Sequence, residues 1–428
     1  MTDPPSNAKN DSYRPRIADK LLEDALRRTG AVQIVGPKWC GKTTTAERAA
    51  RETLYLQDPD KRTSYQHIAE EKPSLLLQGK KPLLLDEWQD IPVLWDAVRF
   101  AVDHKQTTGQ YILTGSTVPS DKEIKHSGAG RFSKIVMRTM SLYESGESKG
   151  SVSLIDIVNQ KDIFEKTSVS QEEIAALIVR GGWPAAVTQK TAHPTTLVSD
   201  YLAAIIESDI SRVDNIEKNP KRVKLLMRSL ARNESTEAAM TTLRSDMSTD
   251  EEELSTNTIA VYLSALRRLY VLEEQEAWAA ALRSKTAIRT SPIRRFCDPS
   301  IAAALLGATP EKLLNDYCTL GFLFESLCVR DLRVYAEALG ATISHYRDAR
   351  GLECDAILEL PDGTWGAIEV KFGIKTEDEA AAHLLTIKEK VTSLHGGKAS
   401  FLLILTAGEM AYKRSDGVYV VPLACLKP

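Results

Sequence analysis

Residues 31 to about 140 alternate between short apolar runs and stretches whose apolar residues recur three or four apart. AVQIVG, PLLLDE, YILTGS and KIVMRTMSL are too short for helices and predict strands. Strands alternating with helices predict a parallel sheet covered by helices. A Gly- and Ser-containing charged stretch, ESGESKGS, comes next. Periodicity then turns helical from about 170 to 210 (QEEIAALIVRGGW, TTLVSDYLAAIIESDI), which predicts a helical lid. Between 220 and 297 lie three amphipathic segments, PKRVKLLMRSLAR, TEAAMTTLRSDM and NTIAVYLSALRRL. YVLEEQEAW and TAIRTSPIRRF after them read as extended. Three helices plus a hairpin predict a winged helix-turn-helix. Beyond 300, the helical stretch LGFLFESLCVRDLRVYAEAL precedes strand-like runs at 342–347, 354–360, 364–372, 399–405 and 418–423, a small α/β domain. The expected division is a mobile arm at 1–15, an α/β core at 16–145, a lid and connector at 146–212, a winged-helix-like unit at 213–298 and an α/β domain at 299–428.

Composition narrows the class. The 428 residues leave room for two to four domains at roughly 100 to 200 residues each. With 43% hydrophobic and 26% charged residues the chain is neither disordered nor fibrous. A formal charge of -3 means that any nucleic-acid surface is a local basic patch. The six cysteines include no C-x-x-C pair, which argues against a structural zinc or a disulfide framework. The N-terminus lacks the pattern of a secretory signal and no apolar run approaches the length of a membrane span, so a soluble cytoplasmic protein is expected.

The chemistry concentrates at the ends of the predicted strands. Gly36, Pro37, Lys38, Trp39, Cys40, Gly41, Lys42 and Thr43 spell G-x-x-x-x-G-K-[ST] after an apolar run and at the start of a helix, with Thr44 beside them. In that context the backbone amides face phosphates, Lys42 reaches the β and γ oxygens, and the Thr43 hydroxyl joins a Mg²⁺ shell. Forty-four residues after Lys42, PLLLDE ends a buried strand in two acids. Asp86 is expected to hold the Mg²⁺ and Glu87 to polarise the attacking water. Thr114, at the end of YILTGS, is a candidate first sensor; a plain strand-end turn is the other reading. Arg131 is a candidate arginine finger for a neighbouring subunit, and Arg180 a candidate second sensor or a helix cap.

The order of GPKWCGKTT, PLLLDEWQD, YILTGS, SGAGRF and RGGWPAAV resembles bacterial and archaeal AAA-type ATPases that carry a C-terminal domain of unknown function with a PD-(D/E)XK nuclease-like fold. IIESDISRVD, SLARNEST, YLSALRRLYVLEE, FCDPSIAAALLGA and GFLFESLCVRDLR are similar to that family too. The resemblance covers about 15 to 425. It implies an α/β multidomain protein: an AAA+ core with a lid, a winged-helix-like middle and a nuclease-like tail.

In the tail, Asp355 starts CDAILEL, Asp362-Gly363 supplies a turn, and TWGAIEVKF returns with Glu369 and Lys371. Period two places Glu369 and Lys371 on one strand face, with Ile368, Val370 and Phe372 on the other. Asp355 and Glu369 could share a Mg²⁺ beside Lys371, with Glu325 a further acid; salt-bridging to Lys371 alone is the competing reading. The resemblance places nuclease residues at Asp355, Glu369 and Lys371. A basic group, Arg283, Lys285, Arg289, Arg294 and Arg295, falls where the wing is expected, and Lys218, Lys221, Arg222, Lys224 and Arg228 form another. Both are candidate phosphate contacts. The expectation is thus an ATP- and Mg²⁺-dependent AAA+ ATPase, a homo-oligomer with a hexameric ring favoured, acting on DNA and not on membranes. The alternatives are a nucleotide-dependent protein-remodelling switch and an ATP-regulated nuclease.

Overall fold

A computed structural model describes residues 13–117, 130–188, 194–213, 216–247, 255–280, 290–373, 376–393 and 397–428. The N-terminal part runs in order through α1 (Ile17–Arg28), β1 (Ala31–Val35), α2 (Lys42–Ala49), β2 (Glu52–Tyr55), α3 (Arg62–Glu71), β3 (Leu83–Asp86), α4 (Val93–Lys105), β4 (Tyr111–Gly115) and β5 (Phe132–Val136). The five strands form one parallel sheet, β2-β3-β4-β1-β5. Successive side chains of a strand face opposite ways, so each strand feeds two cores. Leu83, Leu85 and Leu113 pack with Leu94, Trp95 and Val98 of α4, while Val32, Ile34, Leu84 and Ile112 pack with Leu22 and Ala25 of α1. Parallel pairing brings the carboxyl ends of β1, β3 and β4 to one edge, with Val35 opposite Gly115 and Leu85 opposite Leu113. Of the arm expected at 1–15, residues 1–12 lie outside the described residues; the Tyr13 hydroxyl donates to Asp19 (2.6 Å) and meets Thr45 (3.0 Å), and next to it buried Arg16 binds Glu144 and the Cys40 carbonyl.

Beyond the sheet lie β6 (Val152–Ser153), β7 (Phe164–Lys166), α5 (Gln171–Arg180), α6 (Pro184–Thr188) and α7 (Pro194–Ala204), which runs on through a π-turn at Ile205–Asp209. Ser170 and Glu173 cap α5 reciprocally. Next come α8 (Pro220–Arg232), α9 (Met240–Met247), α10 (Thr256–Arg268) and an antiparallel pair, β8 (Leu272–Gln275) with β9 (Ile293–Phe296). Then α11 (Pro299–Leu306) and α12 (Pro310–Asn315) pack back on α8, α5 and α7. The border expected at 298 therefore lies further on. The reason is compositional: PSIAAALL is apolar nearly all round, and a helix of that kind is stable only among other helices.

The C-terminal part opens with α13 (Tyr317–Leu339), which leads into β10 (Thr342–Arg347), β11 (Glu353–Glu359), β12 (Trp365–Lys371), α14 (Glu377–Ser393), β13 (Ala399–Thr406), β14 (Met410–Lys413), β15 (Tyr419–Pro422) and β16 (Leu426–Lys427). The sheet order is β10-β11-β12-β13-β15-β14-β7. Its β10, β11 and β12 pair antiparallel, while β12, β13 and β15 run parallel. The segment expected to begin the lid instead donates β7 to the edge of this sheet and β6 to β16. An edge strand offers unpaired amides and carbonyls, and β7 satisfies those of β14. One apolar cluster runs from Ile174 and Leu226 through Phe324 to Ile368 and Phe401, so the helical middle and C-terminal sheet share a core. Among the described residues no helix is long and apolar enough to cross a membrane.

Candidate active site

The loop between β1 and α2 is built by its glycines. Gly36 adopts φ +150 with an added Cβ falling 2.0 Å from the Met137 carbonyl oxygen, and Gly41 caps α2 at φ +100, conformations other residues reach only with strain. Lys42 is buried, and its ammonium donates to the carbonyls of Gly36 (3.0 Å) and Pro37 (2.8 Å). Cys40 is buried with its thiol directed at the Met137 carbonyl, so its side chain serves packing.

The parallel register brings the acids to this loop. Asp86 Oδ1 accepts from the Thr43 hydroxyl at 2.7 Å and from the Thr114 hydroxyl at 2.6 Å. Thr114 in turn accepts from the Glu87 amide at 3.1 Å. Burial raises the Asp86 carboxyl above its ordinary value, and the two hydroxyl donors oppose that shift. Glu87 stands in the left-handed region at φ +54. Its Oε2 accepts from the Ser116 hydroxyl (3.0 Å), the Ser116 amide (3.3 Å) and Gln89. Thr114 therefore touches Asp86, and Ser116 and Gln89 hold Glu87. Ser116 belongs to the TGS turn visible in the sequence, but nothing there separates the two hydroxyls or singles out Gln89.

A cleft of about 940 Å³ opens over the loop. Trp39, Lys42, Thr43, Thr44, Glu87 and Ser116 line one side, and Pro184, Ala185, Leu197 and Asp200 of the helical middle line the other. A second cleft of about 660 Å³ shares Lys38, Gln57 and Ser116 with the first and adds Arg62, Asp90, Asp209 and Arg212. Lys38 spans the two parts of the molecule, 2.8 Å from Asp209 Oδ1.

The two arginines expected to serve the nucleotide fare differently. Arg180 bonds Glu147 and the Gly181 carbonyl and lines neither cleft, so the sensor role is not supported where it stands. Glu147, close in space but distant in sequence, claims its charge. Arg131 is half-exposed beside Asp103 at 2.6 Å, on the outer surface near α4.

In the C-terminal domain, Glu325, Asp355, Glu369 and Lys371 come together. Ile368, Val370 and Phe372 pack into the core on the opposite strand face. Glu369 accepts from Lys371 (3.1 Å) and pairs with His383 Nδ1 (2.7 Å); Asp355 accepts from the Val370 amide (2.7 Å); Glu325 pairs with Arg295 (2.6 Å). Burial and the neighbouring Glu325 and Glu369 charges push the Asp355 carboxyl well up. Burial acts upward on Glu369 too, but His383 and Lys371 outweigh it and hold that carboxyl low. Among the described residues no three His, Cys, Asp or Glu side chains are arranged to hold a metal ion. A metal expected between Asp355 and Glu369 would compete with Lys371 and His383 for the two Glu369 oxygens and with the Val370 amide for Asp355 Oδ2. His383, on α14, carries no sequence signal of this role.

The basic group also needs correction. Arg295 is 1% exposed and bonds Gln275, Ser235 and Glu325. Arg294 bonds the Ala238 carbonyl and Glu274. Both charges are spent inside the fold and not offered to DNA. Arg283, Lys285 and Arg289 lie outside the described residues. On α8, Lys221, Lys224 and Arg228 are exposed at helical spacing along one face, while Lys218 is buried.

The parallel sheet, the loop and the paired acids all fall within residues 28–146, which match the family model described as an AAA domain. Two further models match, each described as a domain of unknown function: DUF8612 at 171–312 and DUF4143 at 320–426. The first ends within α12, which like α11 packs on the helical middle. Two relatives, described as uncharacterized proteins of Mycobacterium bovis and Mycobacterium tuberculosis, are each 22% identical over 413 residues, covering 95% of this chain and 83% of theirs. A Walker-type ATPase of Pyrococcus abyssi superposes with a TM-score of 0.42 at 11% identity, covering 71% of this chain and 99% of that one.

Proposed function

We propose that the protein hydrolyses ATP with Mg²⁺ at the cleft over the phosphate loop and uses the cycle to act on DNA. The observation that carries the first half is the Thr43–Asp86–Thr114 cluster, with Glu87 adjoining, at the mouth of the loop. Thr43 and Asp86 present the hard oxygens that suit Mg²⁺, which keeps several waters and takes few protein ligands. Held by Thr43 and Asp86, Mg²⁺ would offset the negative charge of the phosphates. Lys42 exchanges the Gly36 and Pro37 carbonyls for phosphate oxygens, and the loop amides bind the rest. Glu87, oriented by Ser116 and Gln89, positions the attacking water and receives its proton. Glu87→Gln is expected to cut turnover at least about a hundredfold while ATP binding persists. Loss of binding in calorimetry would contradict the role of base.

DNA as the partner is supported by the exposed Lys221, Lys224 and Arg228 stripe on α8, the first of three helices followed by a hairpin in winged-helix order. In a ring of subunits, the surface of α4 that holds Arg131, Asp103 and exposed Phe100 would face the neighbour. Arg131 at that surface is the residue we assign to a neighbour's nucleotide. A nuclease reading is favoured by one observation, the gathering of Glu325, Asp355, Glu369 and Lys371 in an α-β-β-β-α-β unit. The cations already paired with those acids weigh against it.

A further inference from the structure

Lys38 is the third residue of the phosphate loop and lines both clefts, so its side chain reaches both from the loop a triphosphate would bind. Its partner, Asp209, belongs to the helical middle. The two ends of this ion pair are unlike: the Lys38 side chain is 43% exposed and has room to swing, whereas that of Asp209 is 8% exposed. A buried carboxylate stripped of its cation is strongly disfavoured, so whatever draws Lys38 away must also move Asp209 or bring it another cation. Arg212, three residues on, lines the same cleft.

The backbone at this point is also unusual. Asp209 closes the π-turn Ile205–Asp209, between α7 and the helical residues Ile210–Arg212. A π-turn inserts an extra residue and re-aims the helix beyond it, and such turns recur at functional sites. On the same helical run, Tyr201 packs against Trp39 of the loop (ring centroids 5.6 Å) and against Trp183 (4.6 Å). Loop and connector are therefore joined twice, by an ion pair and by an aromatic contact.

We propose that Asp209 is a positioning residue for the nucleotide site, acting through Lys38. It holds Lys38 until a terminal phosphate takes the ammonium over, and the exchange releases the connector and transmits nucleotide state to the helical middle. The inference rests on the reading of the first cleft as the ATP site. It makes Lys38 shared property: phosphate and carboxylate compete for one cation, so removing the carboxylate tightens ATP binding and removing the lysine weakens it.

The test uses the full chain with ATPγS and ADP in Mg²⁺, read by calorimetry and by tryptophan fluorescence, with Trp39→Phe assigning the signal. Asp209→Asn is expected to bind ATPγS roughly fivefold or more tighter, and Lys38→Met weaker by a similar factor. Asp209→Glu restores wild-type affinity. The Trp39 signal of the wild type changes with ATPγS, and that of nucleotide-free Asp209→Asn is already shifted in the same direction. Should Asp209→Asn fail to fold, Lys38→Met, altered at the exposed partner, carries the fluorescence test. Unchanged affinity in both variants, or weakening in both, would overturn the inference while leaving the ATP site standing. Absence of ATPγS binding to the wild type would instead overturn the nucleotide reading, and this inference with it.

Discussion

Asp86 shows how few atoms define the site: one carboxylate oxygen receives hydroxyls from two different elements, Thr43 from α2 and Thr114 from β4. The loop and the two acids are legible in the sequence because each is a contiguous motif with a strand before it. Gln89, Ser116 and Asp209 are not, because their roles depend on distances across the fold. The same is true of Glu234. It is buried and accepts from Ser326 (2.7 Å) and the Phe296 amide (3.1 Å), yet burial dominates and its carboxyl is pushed up to about 7. Because the folded value lies above the ordinary one of 4.5, the stability this group supplies is full below that lower value and lost as pH rises through about 7. Urea midpoints of the wild type should therefore fall between pH 5 and 8 more than those of Glu234→Gln, a difference on the order of 3 kcal/mol at most. Parallel curves for the two proteins would show that Glu234 ionises as an ordinary carboxylate.

At the scale of elements, alternation and helical periodicity suffice for the parallel sheet and for α8, α9 and α10. Periodicity cannot say which neighbour an element buries against. The helix PSIAAALL and the strand at Phe164–Lys166 therefore belong to other units than the sequence suggests: the first packs among the middle helices, the second extends the C-terminal sheet. Charge is the other blind spot. Arg295 on β9 reads as part of a DNA surface, but it ties the hairpin to α13 through Glu325. Arg295→Met leaves Glu325 unpaired in a protected site, and we expect it to cost about 3 to 5 kcal/mol in denaturant unfolding. Adding Glu325→Gln should recover much of that loss. A cost below about 1 kcal/mol would mean that the pair does not hold these elements together.

At the scale of the whole molecule, the cleft over the phosphate loop has the parallel-sheet domain as its floor and α6 and α7 as its wall. The helical middle and the C-terminal sheet share one core, so movement of that wall would carry both. The basic stripe of α8 lies on that helical middle. Alanine at Lys221, Lys224 and Arg228 together should lower the slope of log affinity for duplex DNA against log salt by roughly 3, as loss of three phosphate contacts requires. An unchanged slope would place the DNA surface elsewhere or remove it.

ATP turnover by purified wild type beside Lys42→Ala, in Mg²⁺, tests the central claim most directly. The account predicts hydrolysis by the wild type that falls to background in the variant, since Lys42 is the ammonium that the loop holds ready for the phosphates. Equal rates in the two proteins would contradict it.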